Sequence, residues 1–213
     1  MKNSKKYLFL MVALTISLFF SSLRQPWANS FVAFCFLLSI IAAAYSASKS
    51  RRQLLTMLAL SVSAVLPLWE IALSNKTVIE TVNNPLWLIL TFYVGSIFFR
   101  DILKDRRISI NEIHGAISVY LLIGIFFGMV FQIVAVFDPN ALYFNPTNFT
   151  NATPSDGEYF YYSFITLTTV GYGDVSPVAP IARSVSMIEA ILGVMYVATM
   201  IARFVGIHTN KDG

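Results

Sequence analysis

Ser155–Asp174 reads SDGEYFYYSFITLTTVGYGD, and the fold turns on how this stretch is built. Ser155 followed three residues later by Glu158 is a capping-box pattern, which predicts a helix opening at about Asp156. Carried through Glu158–Thr168, that helix is about 11 residues, or roughly 16 Å at about 1.5 Å per residue. The pattern then breaks at Thr168-Thr169-Val170-Gly171-Tyr172-Gly173-Asp174, where two glycines alternate with larger residues. Backbone dihedrals of alternating hand cost little at Gly171 and Gly173. A short capped helix followed at once by irregular backbone is the result.

The surroundings set the medium. The chain has 213 residues, 56% of them hydrophobic and 12% charged. Soluble domains carry about 25% charged residues, so the class is an integral membrane protein. Apolar stretches fall at about Tyr7–Leu23, Ser30–Tyr45, Leu54–Leu73, Pro85–Phe99, Ala116–Phe137 and Ile181–Val205. A helical span needs roughly 20 mostly apolar residues. The third, fifth and sixth stretches meet that length, and the others need their polar flanks. The short helix lies between the last two and covers only about half of a hydrocarbon core of roughly 30 Å. Non-helical backbone at that depth is tolerated only when buried in protein or lining an aqueous path. The expected fold class is an all-α membrane protein with six transmembrane helices. A re-entrant helix and its loop stand between the last two.

Charge placement orients the spans. Lys2, Lys5, Lys6, Lys49, Arg51, Arg52, Arg100, Lys104, Arg106, Arg107, Arg203 and Lys211 fall on one side, and Arg24, Lys76 and Arg183 on the other. By the positive-inside rule both termini are cytoplasmic, and the short helix enters from outside. That placement also argues against nucleic acid as the reason for the net charge of +4. Met1–Leu23 additionally resembles a signal peptide, with a basic start and an apolar run, but no clear small-x-small site follows. Cys35 is the only cysteine, so no intrachain disulfide forms and the redox compartment is unreadable.

Two halves are expected. Residues 1–107 hold four apolar stretches, a sensor-like or scaffold domain. Residues 108–213 hold two long helices around the Asn/Pro/Thr-rich insert Asp138–Gly157. The charged segment Arg100–His114 between them is expected along the membrane surface. The sequons Asn148-Phe149-Thr150 and Asn151-Ala152-Thr153 lie on the predicted outer side.

From about Ile117 to Gly206 the chain resembles the pore module of tetrameric potassium channels. The likeness rests on Thr166-Leu167-Thr168-Thr169-Val170-Gly171-Tyr172-Gly173-Asp174, then Pro177, then Pro180-Ile181-Ala182-Arg183. It implies a passive, potassium-selective channel in the plasma (inner) membrane, with membrane lipid and three further copies of the chain as partners. Carbonyls of Thr169, Val170, Gly171 and Tyr172, with the Thr169 hydroxyl, would replace the ion's water as K+ ligands, four strands ringing one axis. Gly173 completes the filter, and Thr168 precedes it. K+ is then the permeant ion, and no cofactor is implied. The family often carries two aromatics on the half-helix; here they are Tyr161 and Tyr162. By resemblance Tyr161 would hydrogen-bond Asp174, and Tyr162 would pack near Tyr172. Some members have a glutamate behind the filter where this chain has Ile165. Gly193, ten residues after Arg183, matches the family's inner-helix hinge, and a packing glycine is the alternative.

Other residues are weighed on their own chemistry. Glu189 lies two turns into an apolar helix, where a charge is costly and points to function. It is expected to face protein and to bond the back of the short helix through Ser163 or Thr166. Val197, Ile201 and Val205 recur at helical spacing and would form a hydrophobic gate or simply pack a bundle. Gly124-x-x-x-Gly128 is a small-xxx-small face for close helix approach. The fourth stretch, Pro85–Phe99, has no Lys or Arg, so steep voltage gating by that helix is not expected. Glu70 reads as interfacial and Pro67 as a kink. Seven residues follow Gly206, too few for a cytoplasmic ligand-binding domain. A non-conducting regulatory subunit is the second function class. A transporter is a third, though such proteins usually place four imperfect filter modules in one long chain. No nucleophile–base set or metal-ligand cluster points to an enzyme, and His114 and His208 read as solvated.

Overall fold

A computed structural model describes residues 6–21, 76–104, 109–149 and 154–209. The elements are α1 (Lys6–Ser21), α2 (Lys76–Lys104), α3 (Ile110–Phe137), β1 (Leu142–Phe144), α4 (Asp156–Leu167), β2 (Val175–Pro177) and α5 (Pro180–Thr209). Among the described residues three helices are long and apolar enough to cross a membrane: Asn84–Lys104, Ile110–Phe137 and Pro180–Ile207. The stretches Ser30–Tyr45 and Leu54–Leu73, with Cys35, Pro67 and Glu70, lie outside the described residues. The described part of the first stretch forms α1.

α3 is the hub, in contact with α1, α2, α4 and α5. Its start is fixed by Ser109 in extended conformation (φ −119°, ψ 164°). The Glu112 carboxylate accepts from the Ser109 N–H at 2.7 Å, and Ser109 Oγ accepts from Asn111 N–H at 3.3 Å, so two of the helix's free donors are satisfied. One core forms from Tyr7, Leu10 and Leu14 of α1, Trp87, Leu90, Val94, Phe98 and Ile102 of α2, and Val119, Leu122 and Ile125 of α3. The α2 members recur every three or four residues, one stripe of a helix. Tyr7 Oη donates to Asp101 Oδ2 at 2.8 Å and ties α1 to the end of α2. A second core, around Phe127, Phe131, Ala141, Leu142, Tyr162, Ile165, Val175 and Ala182, supports the short helix.

The fourth stretch takes in its polar flank, as its short apolar run required, and α2 runs through Lys76–Lys104 with Pro85 inside it. Two expectations need correction. The segment Arg100–His114 is not one surface strip: Arg100–Lys104 completes α2, Ser109 caps α3, and residues 105–108 lie outside the described ones. The fold is also not wholly helical. β1 and β2 pair antiparallel, with Leu142 opposite Pro177, Tyr143 opposite Ser176 and Phe144 opposite Val175. Runs of three residues so far apart in sequence carry no period-two signal.

Candidate functional site

α4 starts where its capping pattern placed it. The Ser155 N–H donates to Glu158 Oε2 at 2.6 Å, and the Glu158 N–H returns to the Ser155 carbonyl at 3.0 Å. At its other end Thr168 Oγ donates to the Phe164 carbonyl at 2.6 Å. The chain then folds back on the helix end, with Val170 N–H and Gly171 N–H both directed to the Ile165 carbonyl, at 2.9 and 3.1 Å. Spending these donors on the helix leaves the strand's carbonyls unclaimed by its own turn.

The backbone of this strand alternates in hand. Thr169 has φ 60°, Gly171 φ 53° and Gly173 φ 79°, and neither Val170 nor Tyr172 has a positive φ. Alternation is the condition for successive carbonyls to point one way. Sequence reasoning assigned the left-handed positions to Gly171 and Gly173 and missed Thr169. A β-branched residue in that region costs on the order of 1–3 kcal/mol and persists only where its surroundings enforce it. Thr168 through Gly173 are all exposed; Val170 is 51% and Tyr172 72% exposed.

The Asp174 end of the strand is braced. Tyr161 Oη donates to Asp174 Oδ2 at 2.6 Å, while Asp174 Oδ1 accepts from Val175 N–H at 3.1 Å and the Asp174 carbonyl accepts from Asn145 N–H at 2.9 Å. Burial and the bond to Asp174 push the Tyr161 hydroxyl up to about 12, so it stays a neutral donor at physiological pH. Tyr162 does something other than expected. Its ring packs edge-on against Phe131, centroids 4.8 Å apart, and its hydroxyl bonds Ser186 Oγ at 2.7 Å. It is buried, whereas Tyr172 of the same chain is exposed, so the two form no cuff within one chain.

Behind α4, Glu189 is fully buried. Its Oε1 lies 2.5 Å from Ser163 Oγ, which also lies 2.7 Å from the Gly124 carbonyl; Thr166 instead bonds the Tyr162 carbonyl at 2.9 Å. The glycines hold α4 close. Phe164 and Phe160 fill the space where side chains at Gly124 and Gly128 would stand, so the small-xxx-small face of α3 receives aromatic rings from α4. At Gly193 an added Cβ would collide with the Leu167 carbonyl, and α5 runs unbroken from Pro180 to Thr209. Close packing thus accounts for Gly193, and the helix shows no break at the expected hinge. Val197, Ile201 and Val205 lie exposed on α5.

Two contacts carried no signal in the sequence. Tyr120 Oη of α3 donates to the Leu167 carbonyl at 3.2 Å, and Tyr196 Oη of α5 donates to the Ala116 carbonyl at 2.7 Å. Both acceptors are backbone, which residue identity does not reveal. His114 is half-buried rather than solvated, and its Nδ1 has no hydrogen-bond partner among the described residues. The side chain of His208 lies outside them. Among the described residues no three His, Cys, Asp or Glu side chains gather in a way that would hold a metal ion.

No curated protein and no solved structure matches the chain. Residues 115–209 match a family model described as an ion channel. That match runs from Gly115 in α3 through α5 and takes in two of the three helices long and apolar enough to cross a membrane.

Proposed function

We propose that the chain is a subunit of a potassium-selective channel in which four copies each contribute one filter strand. The observation that carries this is the alternating backbone at Thr169, Gly171 and Gly173 directly after the end of α4. Rings of carbonyls from Thr169, Val170, Gly171 and Tyr172, with the Thr169 hydroxyl, take the place of the ion's water shell. The exposure of Val170 and Tyr172 in one chain fits a strand that neighbouring copies cover. α4 is the re-entrant half-helix, and its C-terminal end, carrying roughly half a negative charge, favours a cation in the cavity below the filter.

The gate in this proposal is the Val197, Ile201 and Val205 face of α5, closing by dewetting. The remaining spans complete a six-helix subunit with both termini in the cytoplasm, in the plasma (inner) membrane. α2 does not gate the pore steeply with voltage. Its cations, Lys76, Arg100 and Lys104, lie toward the helix ends, and each charge carried across the whole field is worth only about 2.3 kcal/mol per 100 mV. In this reading the chain does no covalent chemistry, and its activity is passive conduction.

Purified protein in liposomes tests the proposal. Potassium uptake that exceeds sodium uptake, with the preference lost in Tyr172→Asp, is the expected result. A tetramer that carries no potassium would instead identify a non-conducting subunit. Unchanged selectivity in Tyr172→Asp would remove the carbonyl-ring assignment.

A further inference from the structure

Ser163 Oγ carries one hydrogen but has two short oxygen neighbours, the Gly124 carbonyl at 2.7 Å and Glu189 Oε1 at 2.5 Å. A single O–H cannot lie along both lines. The Gly124 oxygen belongs to a peptide group and can only accept. If Ser163 donates there, the hydrogen between Ser163 and Glu189 has to come from Glu189. The alternative is an ionised Glu189 accepting from Ser163, with the Gly124 carbonyl left to a hydrogen-free contact at 2.7 Å.

The surroundings decide between the two. Glu189 is fully buried, and its second oxygen, Oε2, has no hydrogen-bond partner among the described residues. A buried carboxylate needs a cation or several donors to hold its charge, and both of its oxygens call for them. The facing groups offer little. From α3 the titratable neighbour is Tyr120, whose hydroxyl is directed to the Leu167 carbonyl. From α4 it is Tyr162, whose hydroxyl is engaged with Ser186. On α5 itself, Arg183 lies nearly two turns away with its Nε–H on the Pro177 carbonyl. No cation pairs with Glu189 among the described residues. A neutral acid fits: one oxygen bears the hydrogen, and the other is a carbonyl oxygen, which is far less costly to leave unpartnered than half of a charge.

We propose that Glu189 is held as the un-ionised acid, its O–H donating to Ser163 Oγ while Ser163 donates to the Gly124 carbonyl, a relay that fixes α4 between α5 and α3. The relay has one direction and runs through three helices. Glu189 is a positioning residue, set one turn before Gly193, where α5 meets the end of α4. Its effect on conduction rests on the channel proposal, but its protonation state does not.

Infrared spectroscopy of the full-length protein in lipid, with isotope-labelled glutamate, reads the protonation state without reference to transport. The expected result at neutral pH is a glutamate carbonyl stretch of a protonated carboxylic acid. It should vanish in Glu189→Gln and move to the frequency of a free acid in Ser163→Ala. A wild-type spectrum with only ionised glutamates would overturn the proposal, whatever the flux. The second arm is potassium flux normalised to tetramer. Glu189→Gln keeps an amide N–H donor for Ser163, so its flux should stay within about twofold of wild type. Glu189→Ala leaves the relay without its first donor and should lower flux about tenfold. Equal losses in both variants, with tetramers intact, would overturn the donor role even if the infrared band is present. Absence of flux in wild type together with a protonated Glu189 would count against the channel proposal alone.

Discussion

Gly193→Ala separates a hinge from a packing contact. The added methyl would collide with the Leu167 carbonyl, and it would also stand 3.0 Å from Leu167 Cδ1 and 3.1 Å from the Leu167 carbonyl carbon. The obstructing atom is backbone, at the last residue of α4, and Tyr120 holds the same carbonyl from the opposite helix. No rotamer change relieves the clash, so α5 and the end of α4 must part by on the order of 1 Å. Overpacking of this kind costs about 1–3 kcal/mol, against a gain of up to about 1 kcal/mol for Ala over Gly in a helix. In the proposed channel α4 delivers the filter strand, so the displacement should appear as lost conduction as well as lost stability. The assay is thermal dissociation of the purified assembly together with potassium flux, using Gly206→Ala on the same helix as the control. A Cβ at Gly206 meets nothing within 4 Å, so that variant should match or slightly exceed wild type. A Gly193→Ala protein as stable as Gly206→Ala, with altered gating alone, would refute the packing argument and restore the hinge.

Two further outcomes concern the Asp174 brace. Tyr161→Phe removes the O–H that Asp174 accepts at 2.6 Å, a bond to a charged partner whose loss costs about 1.5–3 kcal/mol; single-channel records should show shorter conducting periods, and unchanged records would deny the bond a role. Wild type should keep the brace in alkali longer than an exposed tyrosine would. The Tyr161 hydroxyl is raised to about 12 from an ordinary value of 10.0, so its contribution is full below about pH 10 and is lost only as pH rises through about 12. Tyrosinate absorbance that tracks loss of conduction near pH 10 would contradict this.

How much was legible in the sequence depended on where each signal resides. The cap of α4 was readable because Ser155 and Glu158 satisfy each other locally. The contact of Glu189 with Ser163 was readable because an acid in an apolar helix has few ways to be accommodated. Thr169 was not, since its left-handed backbone is imposed by the returns of Val170 and Gly171 onto Ile165, and threonine itself disfavours that conformation. The destination of Tyr162 was missed because Ser186 lies on a different helix, with no spacing rule linking the two. Tyr120 and Tyr196 end on main-chain oxygens, and residue identity contains no information about those.

The small sheet has a consequence for how this region tolerates change. β1 and β2 bring Phe144 and Val175 side by side, so residues 145–174 form an excursion that begins and ends at one place. The mean separation of its ends is set by the strand ladder, whatever the length of chain between them. Lengthening the excursion near its tip would add only a slowly growing, logarithmic entropy cost, about 0.6 kcal/mol per doubling of a flexible loop. The span helices on either side would feel none of it. The few residues between Leu167 and Val175, by contrast, are held at both ends and have no slack to absorb even one insertion.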